Sequence, residues 1–474
     1  MSESNNKNKT ALVVIPARSQ FWVLWCLDYA VVLRKEGFNV DLLDLSAFTP
    51  AWYRKYLRKI LFALRFSNRL ESIAKEVCLE HGIRYIKPRE SKKKKSSSFA
   101  AVSSLEKIAL LSLLDAQYAA TLGRRVTSED LLPRETLESE KYFYQVARDI
   151  VTALCNKNQY EMVATANGRI VVSGAVKAAA LESIGKCQIL DTSVNGRWSY
   201  QAYKPDYLED LEFLPIQIDE LWQHANSEKA RVAQEALDKK LKGFRLDAPT
   251  WTSAFSSIYE AMLKDGEKLA VIFPTSDWER PLHLMNDSRM TFGGDQQTAF
   301  ATFSNVARRF GYKVIVRAHP HPGDLQREEI ENSIWGKFCI ENSLEFIASD
   351  SGIDSYDLMK KSNLNVSYVS SAAIDSIILG RPTLILGRSE FSHLLTEIFV
   401  QDENEITRKL EEKNLIMEKS RLFPWSYFQE KGQISLQIIQ LDAEGGALYK
   451  GQEIEGVAFK GLHDRFSKLK ESNR

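Results

Sequence analysis

The chain lacks an apolar run of about 18 residues, so no helix is expected to span a bilayer. Its five cysteines, Cys26, Cys78, Cys155, Cys187 and Cys339, form no CxxC pair. That spacing argues against a zinc site or a disulfide frame and leaves reduced core thiols of a cytosolic protein as the expectation. A formal net charge of +1 argues against bulk attraction to nucleic acid and leaves room only for a local basic patch. No GxGxxG follows the first strand, which excludes the usual dinucleotide fingerprint. There is no DxD-type acidic cluster and no repeat at a solenoid period. The opening "MSESNNKNKT" has neither a basic start nor an apolar run, so no signal peptide is expected there.

What is present is an ordinary globular composition, 44% hydrophobic and 26% charged over 474 residues. This is too long for one core, so two domains are expected. "ALVVIP" (Ala11–Pro16) reads as a buried strand, 21–35 as an apolar helix closed by Gly37, and 39–45 as a second strand. Such a βαβ opening predicts a Rossmann-like sheet. Later strands are expected at 83–86, 160–166 and 187–191, with helices at 104–122, 138–156 and 172–184. This places Asn167, Arg169 and Asp191 at strand ends on one sheet edge, with Arg18 after the first strand. Asn167-Gly168 serves equally as a plain turn.

The segment 51–70, "AWYRKYLRKILFALRFSNRL", has no acidic residue. On a helical wheel Arg54, Lys55, Arg58, Lys59, Arg65 and Arg69 share one side with Phe62 and Phe66. Trp52, Tyr53, Tyr56, Leu57, Ile60, Leu61 and Leu64 take the other. The pattern suits a helix lying on an anionic membrane surface, and it suits equally a crossover helix with a solvated basic face. "ESKKKKSSS" (90–98) reads as a surface loop.

Residues 198–212 read as irregular, 217–242 as one charged helix, and 243–253 as a break, so the second domain is expected to begin near Leu246. The expected division is 1–245, 246–415, and a C-terminal helix and tail at 416–474 that returns to the first domain. In the second half, 269–273 is a strand opening into "PTSDWER", with Thr275, Ser276, Asp277 and Glu279. A second strand, 313–317, ends in "AHPHPGD", where two prolines fix the backbone around His319, Pro320, His321 and Pro322. An imidazole there suits contact with a phosphate oxygen, a structural loop, or, least well, a metal. The segment "VSYVSSAAIDSIILGRPTLILG" (366–387) reads as strand, helix and strand. Ser370 and Ser371 suit the helix N-cap or a phosphate cradle, and Asp375 suits a first-turn acid or a ribose contact. The architecture expected is α/β, with two parallel-sheet halves whose loops face a cleft.

"VIVRAHPHPGD" followed by "IDSYDLMKKSNLNVSYVSSAAIDSIILGRPTLILG" resembles the carboxyl-terminal half of bacterial surface-polysaccharide glycosyltransferases of GT-B fold, over some 75 residues. "NGR" at 167–169 is similar to a segment of their amino-terminal half. CDP-glycerol glycerophosphotransferases and CMP-sugar transferases carry related His-Pro and Ser-Ser elements. The resemblance implies that His319, with Pro320 and His321, and Ser370 and Ser371 bind donor phosphates, with Thr275 and Ser276 beside them and Asp375 on the ribose. Asp375 stands where glutamate is commoner, and Ala372-Ala373 where Thr/Val-Gly is frequent. Arg18, Asn167 and Arg169 would lie on the acceptor side. Glycosyl transfer needs a proton acceptor or a group that stabilises the donor; Asp191 is the first candidate, then Asp277 and Glu279. The expectation is a nucleotide-sugar-dependent transferase without a metal or cofactor. Its partners would be a nucleotide-sugar donor, a glycan or lipid-linked glycan acceptor and an anionic membrane surface contacted through 51–70; no nucleic acid is expected. It would be cytoplasmic or peripheral at the inner membrane face. Alternatives are a CDP-glycerol-type glycerophosphotransferase, a nucleotide-sugar 2-epimerase, and an inactive nucleotide-sugar-binding partner.

Overall fold

The computed structural model describes residues 9–17, 19–46, 62–88, 110, 113–114, 134–168, 170–193, 196–203, 213–241, 268–275, 290–319, 325–441 and 447–454. These divide into two compact units. The first contains the described residues 9–203 and 433–454, the second 213–432. Among the described residues no helix is long and apolar enough to cross a membrane.

In the first unit β1 (Thr10–Ile15) buries every residue from Ala11 to Ile15. A strand apolar on both sides needs cover on both faces, the condition of a parallel sheet. It receives this cover from α1 (Gln20–Lys35) and from the helices that follow. The order continues through β2 (Asn39–Asp44), α2 (Phe62–Glu80), β3 (Arg84–Ile86), α3 (Arg134–Asn158), β4 (Met162–Ala166), α4 (Val171–Ile184), β5 (Cys187–Ser193) and β6 (Gly196–Tyr203). β1 pairs in parallel with β2 on one side and β4 on the other. The basic cluster Arg54–Lys59 lies outside the described residues. From residue 70 onward α2 buries Leu70, Ile73, Ala74, Val77 and Cys78 in the core of this unit, as a crossover helix must.

Two expectations are corrected here. Residues 196–203 are not irregular: they form β6, antiparallel to β5. The cause is tertiary, because Tyr200 is wholly buried against Trp25 and Tyr29 of α1 and donates to Asp28 at 3.0 Å. The single helix expected over 217–242 is two, α5 (Phe213–Gln223) and α6 (Lys229–Leu241). Between them Asn226 accepts the Glu228 amide at 3.2 Å, a turn that restarts the helix. Both helices belong to the second unit, not to the amino-terminal half.

The second unit then runs β7 (Lys268–Phe273), α7 (Gln296–Arg309), β8 (Tyr312–Arg317), α8 (Leu325–Glu341), β9 (Glu345–Ile347), α9 (Ser355–Lys361), β10 (Leu364–Ser367), α10 (Ala372–Ile378), β11 (Thr383–Ile385), α11 (Glu403–Glu412) and α12 (Phe423–Lys431). Its five strands lie in the order β11-β10-β7-β8-β9, all parallel. Gly387, two residues beyond β11, is obligatory. A Cβ there would stand 2.6 Å from the Tyr368 carbonyl oxygen, and Tyr368 is itself wholly buried.

The chain returns to the first unit at β12 (Gln433–Ser435), which adds antiparallel to β6. That completes a seven-stranded sheet, β12-β6-β5-β4-β1-β2-β3. A small sheet of β13 (Gln440–Leu441), β14 (Ala447–Tyr449) and β15 (Gln452–Glu453) follows. Asp28, in the middle of α1, anchors this return by accepting the Gln437 and Ile438 amides at 2.5 and 2.9 Å. All five cysteines are free and buried, and burial pushes the Cys155 thiol up to about 11.

Candidate functional site

In the second sheet the chain starts at β7, steps through β8 and β9 on one side, then returns to place β10 and β11 on the other. The strand order therefore reverses between β7 and β10, and ligands of open α/β sheets bind at the carboxyl ends flanking such a point. Thr275 follows β7, and Ser370 and Ser371 follow β10. His319, half-buried, comes two residues after β8, which pairs with β7. The topology thus collects Thr275, His319, Ser370 and Ser371 on one edge. Ser276, Asp277, Glu279, Pro320 and His321 lie outside the described residues.

The same edge carries hydroxyls with nothing to bond. Thr275 (8% exposed), Ser349 (0%), Ser367 (1%) and Ser389 (3%) are buried. Their hydroxyl oxygens have no hydrogen-bond partner among the described residues. Ser367 closes β10, and the others sit in the loops after β7, β9 and β11. A buried polar group left unpaired costs about 1–3 kcal/mol, so such groups seldom persist without a purpose.

The loops bearing these hydroxyls are held firmly. Gln296, fully buried at the start of α7, clamps the Thr275 backbone: its Oε1 accepts the amide at 3.2 Å and its Nε2 donates to the carbonyl at 2.8 Å. From sequence Arg317 suits a phosphate contact or, better, a structural ion pair at the strand end. Here its guanidinium, 2% exposed, donates to the carbonyls of Ala318 and Ala348 at 2.8 Å and Ile353 at 3.1 Å, tying the ends of β8 and β9 together.

After β10, the Ser370 hydroxyl accepts the Ala372 amide at 3.2 Å. Ser371 takes the N-cap position but makes no side-chain cap bond and is exposed, so of the two serines only Ser370 bonds the helix start. Its backbone is already helical, with φ −59° and ψ −11°, so its hydroxyl does not reach back over the first turn. α10 itself has only seven residues, too few for a strong dipole.

Behind α10 lies a fully bonded polar network. Asn365 Nδ2 donates to the Ser376 hydroxyl at 2.9 Å, which shares a 2.7 Å bond with Thr383, and the Ser362 hydroxyl donates to Asn365 Oδ1 at 2.6 Å. Asp375, 6% exposed, meets the Lys240 ammonium at 2.8 Å from Oδ1, and Tyr356 donates to its Oδ2 at 3.5 Å. Lys240 was missed from sequence, where it is one cation among several on a charged helix.

The first sheet has its own reversal, between β1 and β4. Asn167 follows β4, and Asn167 and Gly168 both take left-handed backbone, φ 70° and 61°. The Asn167 amide donates to Leu190 O at 2.8 Å. A Cβ on Gly168 would press Ile189 at 3.1 Å, so the turn requires this pair of residues. Arg18 and Arg169 lie outside the described residues. Asp191 is corrected: it is not at a strand end, because β5 runs on to Ser193, and Asp191, itself 5% exposed, pairs across the ladder with Gln201.

The fold class is mixed α/β with two Rossmann-like, largely parallel sheets, the domain plan of GT-B proteins. No protein-family model matches the chain, and no curated protein does. Among solved structures it is similar to a β-Kdo 2,4-transferase, KpsC, of Thermosulfurimonas dismutans, with 12% identity and a TM-score of 0.39 over 62% of this chain and 84% of that one. The β-Kdo 2,7-transferase of the same organism gives 11% identity and 0.35 over 78% and 98%. A UDP-GlcNAc 2-epimerase from Neisseria meningitidis, bound to UDP-GlcNAc, gives 9% and 0.28 over 88% and 97%.

Proposed function

We propose that the chain is a glycosyltransferase that takes a sugar from a nucleotide-activated donor for a bacterial surface glycan, and that the second unit holds the donor. One observation carries this reading: the buried, unpaired hydroxyls of Thr275, Ser349, Ser367 and Ser389 lie along the ligand edge of one sheet. A polar ligand rich in acceptors, such as a nucleoside phosphate, would satisfy them. The resemblance of the His-Pro and Ser-Ser segments to surface-polysaccharide transferases supports the same choice.

Chemically, these hydroxyls and the His319 imidazole donate to phosphate oxygens and so stabilise the charge that grows on the departing nucleotide. Asp375 accepts from the ribose. The acceptor hydroxyl must lose a proton to a base. Asp277 and Glu279, which follow Thr275 closely in the sequence, now stand ahead of Asp191, which is buried within β5. The acceptor is a glycan or lipid-linked glycan, and the basic segment 51–70 contacts an anionic membrane surface.

A thermal-shift panel of CMP, CDP, UDP, GDP and dTDP tests the donor reading. At least one should raise the melting temperature, and His319→Ala should reduce that shift. Indifference of the native chain to all of them would sink the proposal.

A further inference from the structure

We infer that Lys240 is a positioning residue for the ribose contact of the donor nucleotide, acting through Asp375; this rests on the donor reading above. Lys240 belongs to α6, which is held in place apart from the sheet. The Ser426 hydroxyl of α12 donates to Ala233 O at 2.8 Å, Lys239 meets Glu430 at 3.3 Å, and Leu237 is 1% exposed. From there the ammonium reaches Asp375 Oδ1 at 2.8 Å, with side-chain exposures of 20% and 8%.

Oδ1 is shielded from solvent and makes no aligned hydrogen bond, so the ammonium holds it as a charge contact. Oδ2 has one long bond, from Tyr356 at 3.5 Å, and keeps room for a stronger donor. The next residue, Ser376, is locked by Asn365 and Thr383, so the backbone beneath Asp375 is fixed and the carboxylate has only its side-chain torsions to settle. Lys240 settles them from one side and Tyr356 from the other. As a stabilising device the pair is a poor choice, since desolvating two charges offsets most of their attraction. As a way to fix one carboxylate oxygen while the other carries only a long bond that a ribose hydroxyl could replace, it is effective.

The test measures dissociation constants for the nucleoside diphosphate that stabilises the protein most, beside its 2′-deoxy and 3′-deoxy forms. The native protein should prefer the ribonucleotide over one of the deoxy forms by about tenfold, the range of a hydrogen bond to a charged group. Asp375→Asn sets the reference for loss of that preference. Lys240→Met should bring the ratio to within about twofold of unity, Lys240→Arg should restore most of it, and Tyr356→Phe should lower it partially. Lys239→Met, which alters the exposed neighbouring cation, should leave it unchanged. A native ribose preference that persists in Lys240→Met overturns the role of Lys240 and leaves the donor reading intact. Tight binding with no ribose preference in the native protein overturns the Asp375 contact and this inference together. If no nucleotide binds, the donor reading falls and the inference with it.

Discussion

The two units share a plan, a central first strand with later strands laid on both sides, yet among the described residues they differ in their buried hydroxyls. In the first unit several buried hydroxyls and carboxylates are spent on the fold. Thr165 donates to Val14 O at 3.2 Å, Asp44 accepts the Ser46 amide at 2.9 Å and the Tyr85 hydroxyl at 2.6 Å, and Asp28 accepts two amides and a hydroxyl. In the second unit the hydroxyls of Thr275, Ser349, Ser367 and Ser389 are buried and unpaired. A sheet edge that satisfies itself is finished by folding. One that leaves hydroxyls unpaired is what the proposed donor site requires, and the contrast between the two edges is open to direct test.

The comparison can be broken at several points. The largest effect is expected at Asp28: replacing it with alanine strands the Gln437 and Ile438 amides and the Tyr200 hydroxyl, and should cost about 3 kcal/mol in urea unfolding. Burial raises the Asp28 carboxyl above its usual value against the pull of those donors. A raised acid binds its proton more readily folded than unfolded, so its contribution is fully present below the ordinary carboxylate range and declines as pH rises through the folded value. Asp28→Asn should flatten that slope.

Next comes a matched pair. Thr165→Val, which removes a bonded hydroxyl, should destabilise by about 1 kcal/mol, whereas Thr275→Val, which removes an orphan, should stabilise the ligand-free protein by a similar amount while weakening nucleotide binding. Equal losses in both would erase the distinction between the edges. The smallest effect should come from Arg84→Ala. Its side chain is 58% exposed against 13% for its partner Asp41, which keeps the Tyr160 hydroxyl as a donor, so the loss should be about 1 kcal/mol and fall in high salt.

Much of the framework was legible because it is written in local pattern. The continuous apolar run of Ala11–Ile15 could only be a doubly covered strand. The β10-α10-β11 unit lies within two residues of where Val366–Leu386 placed it, since Gly380 and Pro382 end a helix wherever they occur. The Ser370-Ser371 pair shows the limit. Residue type marked the cap, but only the φ and ψ of Ser371 showed that its hydroxyl does not cap. β6 was misread because its strand character comes from Tyr200 meeting α1, a contact with no trace in residues 196–203 themselves.

By itself the sequence determined the βαβ opening of the first sheet and the β10-α10-β11 unit of the second, the absence of a dinucleotide fingerprint, and the concentration of hydroxyl, imidazole and carboxyl groups after strands of the second half. These follow from side-chain periodicity and from the fixed backbone preferences of glycine and proline. Tertiary structure alone decided that Asp191 lies inside a ladder, that Asp375 answers to Lys240 on a separate helix, and which buried hydroxyls stay unpaired. Each of these depends on which strands become neighbours and which helix packs over an edge, and that choice is made by burying apolar surface across long stretches of chain.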